Sequence, residues 1–506
     1  MPEYLVRLVQ MHESFRKAEL QALAELAGVE MDIVKYEEDS PFCILTLPSP
    51  AAAKALISRS ILSLGIYSLW GHGTSYDLLH ASTSQLSSHQ WPAFQSTPFR
   101  FTVDSFRGTK TAMQQREIIE SFSYMNFRGP IKMRDAAAEV FTVFEDYKEH
   151  AAELRYLYFG RLVGSSSRHL KTTYDLKKRH YISTTSMDAE LALLTANMAL
   201  AAPGKLFYDP FMGTGGFPIA SAEFGAYAWG SDIDGRSIRG TGGSARKGQI
   251  GKRDVQGNFK QYGLEGRYLG GFVSDLTNTP LRIQSLQEDG SAVQGRSIGR
   301  GWLDGIICDP PYGVREGLKV LGSRAELSDL ERSTHRDRYM ESGYIPPKRP
   351  YSFTALLDDI LAFAAETLVE GGRLSMWVPT ANDEDVELVI PVNPRLRIMS
   401  VCVQRFNKWS RRLLTYRRLA EEEVLEEQGA RDEGVMDEKG RENEVGRGAG
   451  ANELNDFRRK YFEGFKEFER LRRDGSSPRP DGALVADQKG GWDSALRDVF
   501  GKGSST

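Results

Sequence analysis

The sequence predicts an α/β fold in which two smaller α+β modules precede a domain built on a parallel sheet. The parallel sheet is predicted by residues 205–232, where an apolar run, a Gly-rich turn, a helical segment and a second apolar run follow one another. Such a βαβ unit joins parallel strands. It lies in the domain predicted for residues 181–418. Residues 1–95 and 96–180 alternate short apolar runs with helical patterns, which is typical of α+β modules.

The C-terminal part of the chain has a different composition. Residues 420–445 contain 11 acidic and three basic side chains. Because such a segment cannot bury enough apolar surface to fold, we expect a disordered insertion over residues 419–452. Apolar side chains at helical spacing then predict an amphipathic helix over residues 453–475. Residues 476–506 are predicted to be a disordered tail.

Charge and cysteine content exclude several classes of protein. The 65 Lys and Arg nearly balance the 68 Asp and Glu, so any nucleic-acid surface must be a local basic patch. Since the 506 residues contain no apolar run of about 18, we expect no membrane span. The first residues, MPEYLVRLVQMHESFR, include an acid at position 3 and lack a long apolar core, so we expect no secretory signal. Cys43, Cys308 and Cys402 are far apart, which predicts neither a disulfide framework nor a metal site. A reducing compartment, the cytoplasm or the nucleus, is therefore expected, and we assign the cytoplasm.

A basic stretch precedes the central domain. Residues 161–179 contain six basic side chains and one acid, Asp175, a composition that suits contact with phosphates. The alternative is the solvated face of an ordinary domain. The candidate RNA-binding residues are Arg168, Lys171, Lys177, Lys178 and Arg179.

The Gly-rich turn is the first candidate for ligand binding. It reads DPFMGTGG from Asp209 and lies between a predicted strand and a predicted helix. Gly213 and Gly215 allow positive φ and close approach of the backbone to a ligand. Because the turn matches neither GxGxxG nor the GK[ST] of a P-loop, it favours a nucleoside cofactor over a phosphate group. A tight turn without a ligand remains the alternative.

Two further acids follow predicted strands of the same domain. Asp232 in GSDID can accept hydrogen bonds from ribose hydroxyls, and Asp275 in VSDL can accept one from an exocyclic amine. A single Asp at a strand end is more often an N-cap or turn residue. Acids at the ends of three successive strands, with Asp209 as the first, would however converge on one cleft.

The sequence Asp309-Pro310-Pro311-Tyr312 ends another apolar run. Its two prolines exclude a helix and remove two backbone donors. The acid and a carbonyl can then accept the two N–H bonds of an amino group on a planar base, while the tyrosine stacks on the ring. We therefore assign these four residues to catalysis.

The motifs together resemble a known family. In this order, DPFMGTGG, GSDID, VSDL and DPPYG resemble motifs I to IV of class I S-adenosylmethionine-dependent amino-methyltransferases. KRHYISTTSMDAELALLTANMALA, NFKQYGLE and WSRRLLTY are more closely similar to the catalytic subunit of the eukaryotic tRNA (guanosine-10-N2)-methyltransferase family. The resemblance covers most of residues 1–418. It implies a Rossmann-like methyltransferase domain after a ferredoxin-like domain, residues 1–95, and a tRNA-binding THUMP domain, residues 96–180.

The resemblance also implies an activity. In that family a methyl group passes directly from S-adenosylmethionine to guanine N2 of guanosine 10 in tRNA, without a metal or a covalent enzyme intermediate. Asp309 and the Pro310 carbonyl would hold the amine. Pro210 in motif I departs from many methyltransferases, and the acidic segment and the tail match nothing in the family. The residues that would bind the cofactor are Asp209, Gly213, Gly215, Asp232 and Asp275.

A partner subunit is the last expectation. The strand predicted over residues 267–273 would lie at a sheet edge in the usual doubly wound order. An exposed apolar edge strand is prone to aggregation unless another chain covers it. Family members pair with a small zinc-binding activator subunit, so we expect a heterodimer in which zinc belongs to the partner. The alternative is that the chain's own helices cover this strand.

Other functions stay open from the sequence alone. DPPY also occurs in enzymes that methylate adenine N6 or cytosine N4 in DNA or RNA. A methyltransferase of protein amides is another alternative, although such enzymes often carry Asn at the position of Asp309. A non-catalytic RNA-binding protein with a methyltransferase fold is a third, and the intact motifs argue against it.

Overall fold

The computed structural model describes residues 1–149, 153–183, 185–239, 254–281, 301–312, 318–321, 348–381, 390–406 and 409–432. Contacts between Cα atoms divide the chain into two units, Met1–Thr172 and Thr173–Thr506. Within these described residues, each unit is built on a sheet of seven strands.

The N-terminal unit combines a mixed sheet with helices. Its strands are β1 (Glu3–Leu8), β2 (Asp32–Tyr36), β3 (Phe42–Thr46), β4 (Ser63–Gly73), β5 (Phe99–Phe106), β6 (Glu139–Tyr147) and β7 (Leu154–Ser165). Its helices are α1 (Glu13–Ala27), α2 (Pro50–Ile57), α3 (Tyr76–Ser87), α4 (Ala112–Glu120) and, at the junction with the second unit, α5 (Leu170–Thr173).

One sheet runs through both predicted α+β modules. The strand order is β2-β3-β1-β4-β7-β6-β5, and each pair is antiparallel except β5 with β6. β4 from the first module pairs with β7 from the second. The boundary predicted near residue 95 therefore does not separate two sheets, and as a domain boundary it stays a prediction.

The second unit alternates strands with helices. Its strands are β8 (Leu206–Asp209), β9 (Tyr227–Asp232), β10 (Tyr268–Val273), β11 (Leu303–Cys308), β12 (Lys319–Leu321), β13 (Lys348–Pro350), β14 (Leu368–Ala381), β15 (Leu396–Arg405) and β16 (Trp409–Arg418). Its helices are α6 (Ala189–Met198), α7 (Gly216–Glu223), α8 (Gly235–Arg239), α9 (Val255–Gln261), α10 (Phe353–Thr367) and α11 (Glu421–Asp432). None of the described helices is long and apolar enough to cross a membrane.

The main sheet of this unit has the doubly wound order. Its strands lie in the order β10-β9-β8-β11-β14-β16-β15. The first five are parallel to their neighbours, and β16 and β15 extend the sheet in antiparallel fashion. The order of the first five strands along the chain, 3-2-1-4-5, places β10 at one edge. This arrangement confirms the predicted parallel sheet and the edge position of the third strand.

Helices cover both faces of the sheet, as a parallel sheet requires. Met376 of β14 packs in one cluster with Leu356, Ile360 and Leu361 of α10. The next residue, Trp377, points to the opposite face because successive strand side chains alternate. Its indole N–H donates to Thr195 Oγ1 of α6 at 3.2 Å. The strands are therefore almost continuously apolar, which explains why runs rather than alternation marked them in the sequence.

The acidic segment after β16 begins with a helix, which corrects one prediction. α11 covers Glu421–Asp432, inside residues 419–452, which were predicted to be disordered. The Glu423 carboxylate accepts a hydrogen bond from the Ala420 amide at 2.9 Å. Hydrogen bonds from Arg417 lower the pKa of Glu423 to about 2, so a charged cap stabilises the first turn. The rest of that segment, the predicted amphipathic helix and the predicted tail lie outside the described residues.

Candidate active site

The Gly-rich turn after β8 is held to the end of β9. The Gly213 amide donates to Asp232 Oδ2 at 2.8 Å, and the Met212 amide donates to the Ser231 carbonyl at 2.9 Å. Gly213 and Gly215 have φ of 51° and 81°, a left-handed conformation that favours glycine. A Cβ on Gly215 would also lie 2.7 Å from Val255 Cγ1. Two of the predicted glycines are thus required by the turn itself.

Asp232 joins this turn to the loop after β9. Its Oδ2 accepts from the Gly213 amide at 2.8 Å, and its Oδ1 accepts from the Asp234 amide at 2.7 Å. Burial raises the pKa of Asp232, while these two backbone hydrogen bonds oppose that rise. Each carboxylate oxygen has a second lone pair, so Asp232 can accept further hydrogen bonds from a ligand.

Asp209 ends β8 and is almost fully buried, with 2% of its surface exposed. Its Oδ1 accepts a hydrogen bond from the Phe211 amide at 2.9 Å. Burial raises the pKa of Asp209 well above its usual range, and the nearby carboxylates of Asp232 and Asp309 raise it further. Asp232 and Asp309 are thus close enough to Asp209 to act on it, whereas convergence of Asp275 with Asp209 and Asp232, the set expected from the sequence, stays a prediction. Negative potential from Asp232 and Asp309 favours a positively charged ligand.

An apolar cleft lies next to these acids. Phe211 from the Gly-rich turn, Ile233 beside Asp232 and Pro311 from the DPPY turn line it, together with Val320 of β12. Apolar walls beside a few polar acceptors are typical of sites that hold a small organic ligand. The acceptor groups and the apolar walls therefore fit a cationic nucleoside.

Asp275 also lines this cleft, but the structure gives its carboxylate a role within the chain. It caps the short 3-10 helix Leu276–Asn278 by accepting from the amides of Thr277 and Asn278. Its Oδ2 also accepts from the Leu321 amide at 2.8 Å. The cap is the N-cap role that the sequence left open. The hydrogen bond from Leu321 holds β12 in place as a wall of the cleft. A hydrogen bond from a cofactor amine to Asp275 stays a prediction.

The Asp309-Pro310-Pro311-Tyr312 turn follows β11 at the same edge of the sheet. Pro310 is buried, whereas Pro311 is exposed to the cleft. The Tyr312 hydroxyl donates to Asp309 Oδ1, a contact that the sequence did not predict. Burial raises the pKa of Asp309, and the positive charge of Arg411 and the Tyr312 hydroxyl oppose that rise. Stacking of Tyr312 on a base stays a prediction.

Asn258 of α9 is a site residue that sequence reasoning missed. Its side-chain amide donates to the carbonyls of Tyr181 and Thr214 at 2.8 and 3.1 Å and accepts from the Tyr181 amide at 2.9 Å. Asn258 is fully buried, so it locks the Gly-rich turn to the segment before α6. The signal in the sequence was NFKQYGLE, where this polar residue sits among the buried residues of a short helix.

Arg411 is the second residue that sequence reasoning missed. It belongs to WSRRLLTY on β16 and acts electrostatically on both Asp309 and Tyr312. The strand β16 follows β11 by about a hundred residues, and only the sheet order brings them to the same edge.

The predicted RNA-binding residues have different environments. Lys177 and Lys178 are exposed, and Lys171 is half-buried. Arg168 is also half-buried, and its guanidinium donates to the Ile61 carbonyl at 2.8 Å. These residues can present positive charge at the surface of the unit to which each belongs.

Arg179 corrects one of these predictions. It has only 1% of its surface exposed, so it is not part of an RNA-binding surface. Its guanidinium lies near Tyr174 and Tyr262, and one nitrogen is 3.7 Å from where a Cβ would stand on Gly216. The charge run in the sequence could not show that its last member turns inward beneath the Gly-rich turn.

Two family models match the chain in succession. The model described as Tmrp11 THUMP N-terminal domain matches residues 2–168, and the model described as RMKL-like, methyltransferase domain matches residues 177–335. These matches agree with the fold class that the resemblance implied, in which a THUMP-containing N-terminal part precedes a Rossmann-like methyltransferase domain.

Curated relatives extend the similarity over most of the chain. A tRNA (guanine(10)-N(2))-methyltransferase of Saccharomyces cerevisiae is 41% identical over 82% of this chain and 93% of that protein. The protein of the same name from Schizosaccharomyces pombe is 36% identical over 83% of this chain and 90% of its own length. The Xenopus laevis relative, tRNA (guanine(10)-N(2))-methyltransferase TRMT11, is 32% identical over 92% of each chain. The chain therefore belongs to the tRNA (guanine(10)-N(2))-methyltransferase family.

Proposed function

We propose that this chain transfers a methyl group from S-adenosylmethionine to the exocyclic N2 amine of guanosine 10 in tRNA. The observation that carries the proposal is the Asp309–Tyr312 turn, which stands beside a cleft suited to a cationic nucleoside. An acid and a proline carbonyl at that point can hold an amino group of a base. The names of the family members supply the position in tRNA.

The residues of the cleft support the cofactor assignment. Asp232 would accept hydrogen bonds from the ribose hydroxyls, while Phe211, Ile233 and Pro311 would contact the adenine ring. The half-buried acids Asp232 and Asp309 add negative potential that complements a cationic ligand. When bound, S-adenosylmethionine supplies an activated methyl group on a sulfonium sulfur, which keeps the electron pair of the broken S–C bond.

Asp309 and Pro310 then determine how the amine reacts. Guanine N2 is a poor nucleophile because its lone pair is delocalised into the ring. Asp309 and the Pro310 carbonyl would accept its two hydrogens, which orients the nitrogen for bond formation with the methyl carbon. After the N–C bond forms, the nitrogen carries a positive charge and must release a proton. Asp309 is the acceptor we assign, because burial makes its carboxylate a stronger base.

We assign tRNA binding to the N-terminal unit and to the exposed lysines that follow it. Residues 1–95 and 96–180 would be the ferredoxin-like and THUMP domains, with the methyltransferase domain over residues 181–418. Lys177 and Lys178 are exposed and can contact phosphates, which dominate affinity for nucleic acids. Arg168 and Lys171 are the further candidates.

A small zinc-binding activator subunit is the proposed protein partner. β10 is the edge strand of the sheet, and its side chains Leu269 and Val273 are 56% and 47% exposed. Tyr227 of the neighbouring β9 is exposed beside them. An apolar edge of this kind suits a partner that adds a strand or covers the surface.

A cytoplasmic location completes the proposal. Cys43, Cys308 and Cys402 are buried as free thiols, which suits a reducing compartment. Cell fractionation with an antibody to the chain would test this assignment.

Replacing Asp309 tests the reaction. We expect Asp309→Ala to lower kcat by about 10²–10³, because one oriented electrostatic group is lost, and to leave the Kd for tRNA nearly unchanged. Steady-state transfer of a labelled methyl group would measure kcat, and a binding titration would measure the Kd for tRNA. Asp304→Asn, at the opposite end of β11, should keep its activity.

The substrate supplies a second control for that experiment. Transcripts with inosine at position 10 lack the N2 amine and should accept no methyl group at that nucleotide. Duplex DNA and protein substrates should not be methylated. Activity on the inosine transcript, or an Asp309→Ala variant that keeps more than about a tenth of kcat, would contradict the assignment.

Replacing Asp232 tests the cofactor site. We expect Asp232→Ala to raise the Kd for S-adenosylmethionine by about tenfold or more, since hydrogen bonds to charged groups contribute about 1.5–3 kcal/mol. Calorimetry would measure the change. Asp234→Ala is the matched control, because Asp234 pairs with Arg236 and its loss should leave the Kd unchanged. Equal Kd values for the two variants would show that Asp232 only stabilises the turn and does not bind the cofactor.

Reversing two exposed charges tests the tRNA surface. The double substitution Lys177→Glu and Lys178→Glu should reduce the slope of log K against log[salt] by up to about 2, because each phosphate contact contributes about 0.7–0.9. Binding titrations at several salt concentrations would measure it. Replacement of both residues by Arg should preserve the slope. An unaltered slope in the Glu variant would show that this stretch is an ordinary solvated surface that does not contact tRNA.

Charged substitutions on the edge strand test the partner. We expect the double substitution Leu269→Asp and Val273→Asp to abolish co-purification with the zinc-binding subunit. Association would then have to bury two unpaired carboxylates in an apolar contact, which is strongly unfavourable. Ile398→Asp on β15, at the opposite edge of the sheet, should leave association intact. A monodisperse chain that methylates tRNA at full rate without a partner would overturn the proposal.

A further inference from the structure

Arg411 on β16 is fixed by three contacts around its guanidinium. Its Nε donates to Gln404 Oε1 on β15 at 2.5 Å. The guanidinium carbon lies 4.8 Å from the centroid of the Trp377 indole and 5.8 Å from that of the Phe406 ring. Cation–π contacts to a buried indole are favourable and directional. The side chain is therefore held in one place.

The register of the sheet places this guanidinium beside the DPPY turn. Cys308 of β11 is level with Met376 of β14, so the following residues, Asp309 and Trp377, also lie side by side. Arg411 stands above the Trp377 indole. The positive charge is thus close enough to the end of β11 to act electrostatically on the Asp309 carboxylate.

The groups around Asp309 show why a cation matters there. Within the described residues, Asp309 acts electrostatically on Asp209 and Cys308, while Tyr312 and Arg411 act on Asp309 itself. Asp209 is a carboxylic acid, and burial raises the pKa of the Cys308 thiol and keeps it protonated. Neither group therefore supplies a positive charge. Arg411 is the cation in this set, and it lowers the pKa of both Asp309 and Tyr312 against the effect of burial.

We propose that Arg411 is a positioning residue for methyl transfer, whose fixed guanidinium keeps the Asp309–Tyr312 pair oriented toward the substrate amine. The inference rests on the proposed function. Because the Tyr312 hydroxyl uses Asp309 Oδ1, Oδ2 is the oxygen that would accept from the amine. Arg411 keeps the carboxylate in this orientation, with Oδ1 on Tyr312 and Oδ2 free for the amine, and does not touch the reacting atoms.

The dependence of kcat on pH tests the proposal. Asp309 must be ionised to accept hydrogen bonds, so activity falls as the pH drops through its pKa. Loss of Arg411 removes a charge that lowers this pKa. We expect Arg411→Gln to shift the acidic limb of the profile to higher pH and to lower the maximal kcat by up to about 10²-fold. KM for S-adenosylmethionine and for tRNA should change little.

Three further variants make the experiment specific. Arg411→Lys should restore the position of the acidic limb because the charge returns, while kcat stays below that of the wild type because the planar fork is lost. Gln404→Leu should lower kcat in the same direction through the loosened guanidinium. Arg412→Gln, on the opposite face of the same strand, should keep the wild-type pH profile. Calorimetry with S-adenosylmethionine would confirm that each variant is folded.

The outcomes separate this inference from the proposed function. If the wild-type chain with its partner methylates guanosine 10 and the Arg411→Gln profile superposes on that of the wild type, the inference is wrong and the function stands. A rise in KM for tRNA with an unchanged pH profile would make Arg411 a phosphate contact and would also overturn it. A wild-type chain that methylates no tRNA would instead contradict the proposed function.

Discussion

Burial of carboxylates at the carboxyl edge of a parallel sheet is the constraint on which the rest of the site depends. β8, β9 and β11 end side by side, so Asp209, Asp232 and Asp309 lie at one edge of the sheet, where Asp209 is buried and the other two are half-buried. Desolvation raises the pKa of all three carboxyl groups, and the charges of Asp232 and Asp309 add to that rise at Asp209. Backbone amides offset it at Asp209 and Asp232, and Arg411 offsets it at Asp309.

The parts of the site that are local in the chain could be predicted from the sequence. Strand, Gly-rich turn and helix follow one another over residues 205–232, and the βαβ rule then makes the strands parallel. Parallel strands end at one edge, so acids placed directly after apolar runs, such as Asp232 and Asp309, lie at that edge. The edge position of β10 followed from the same order.

The parts that depend on distant segments could not be predicted in this way. Arg411 reaches Asp309 through two intervening strand pairings, and Asn258 joins segments that only the folded chain brings together. Arg179 belongs to a run of basic residues, and the run does not show which member turns inward. In α11, composition predicted disorder, whereas the ion pair of Glu423 with Arg417 stabilises a helix. In each case a contact outside the local pattern decided the outcome.

The account rests on Asp309 acting on the N2 amine of one nucleotide, and nucleotide mapping in cells tests that claim most directly. N2-methylguanosine would be mapped in tRNA from cells that lack this chain and from the same cells carrying the wild type or Asp309→Asn. We predict that the modification disappears at position 10, returns with the wild type and stays absent with Asp309→Asn. Persistence of the modification at position 10 without the chain, or its return with Asp309→Asn, would contradict the account.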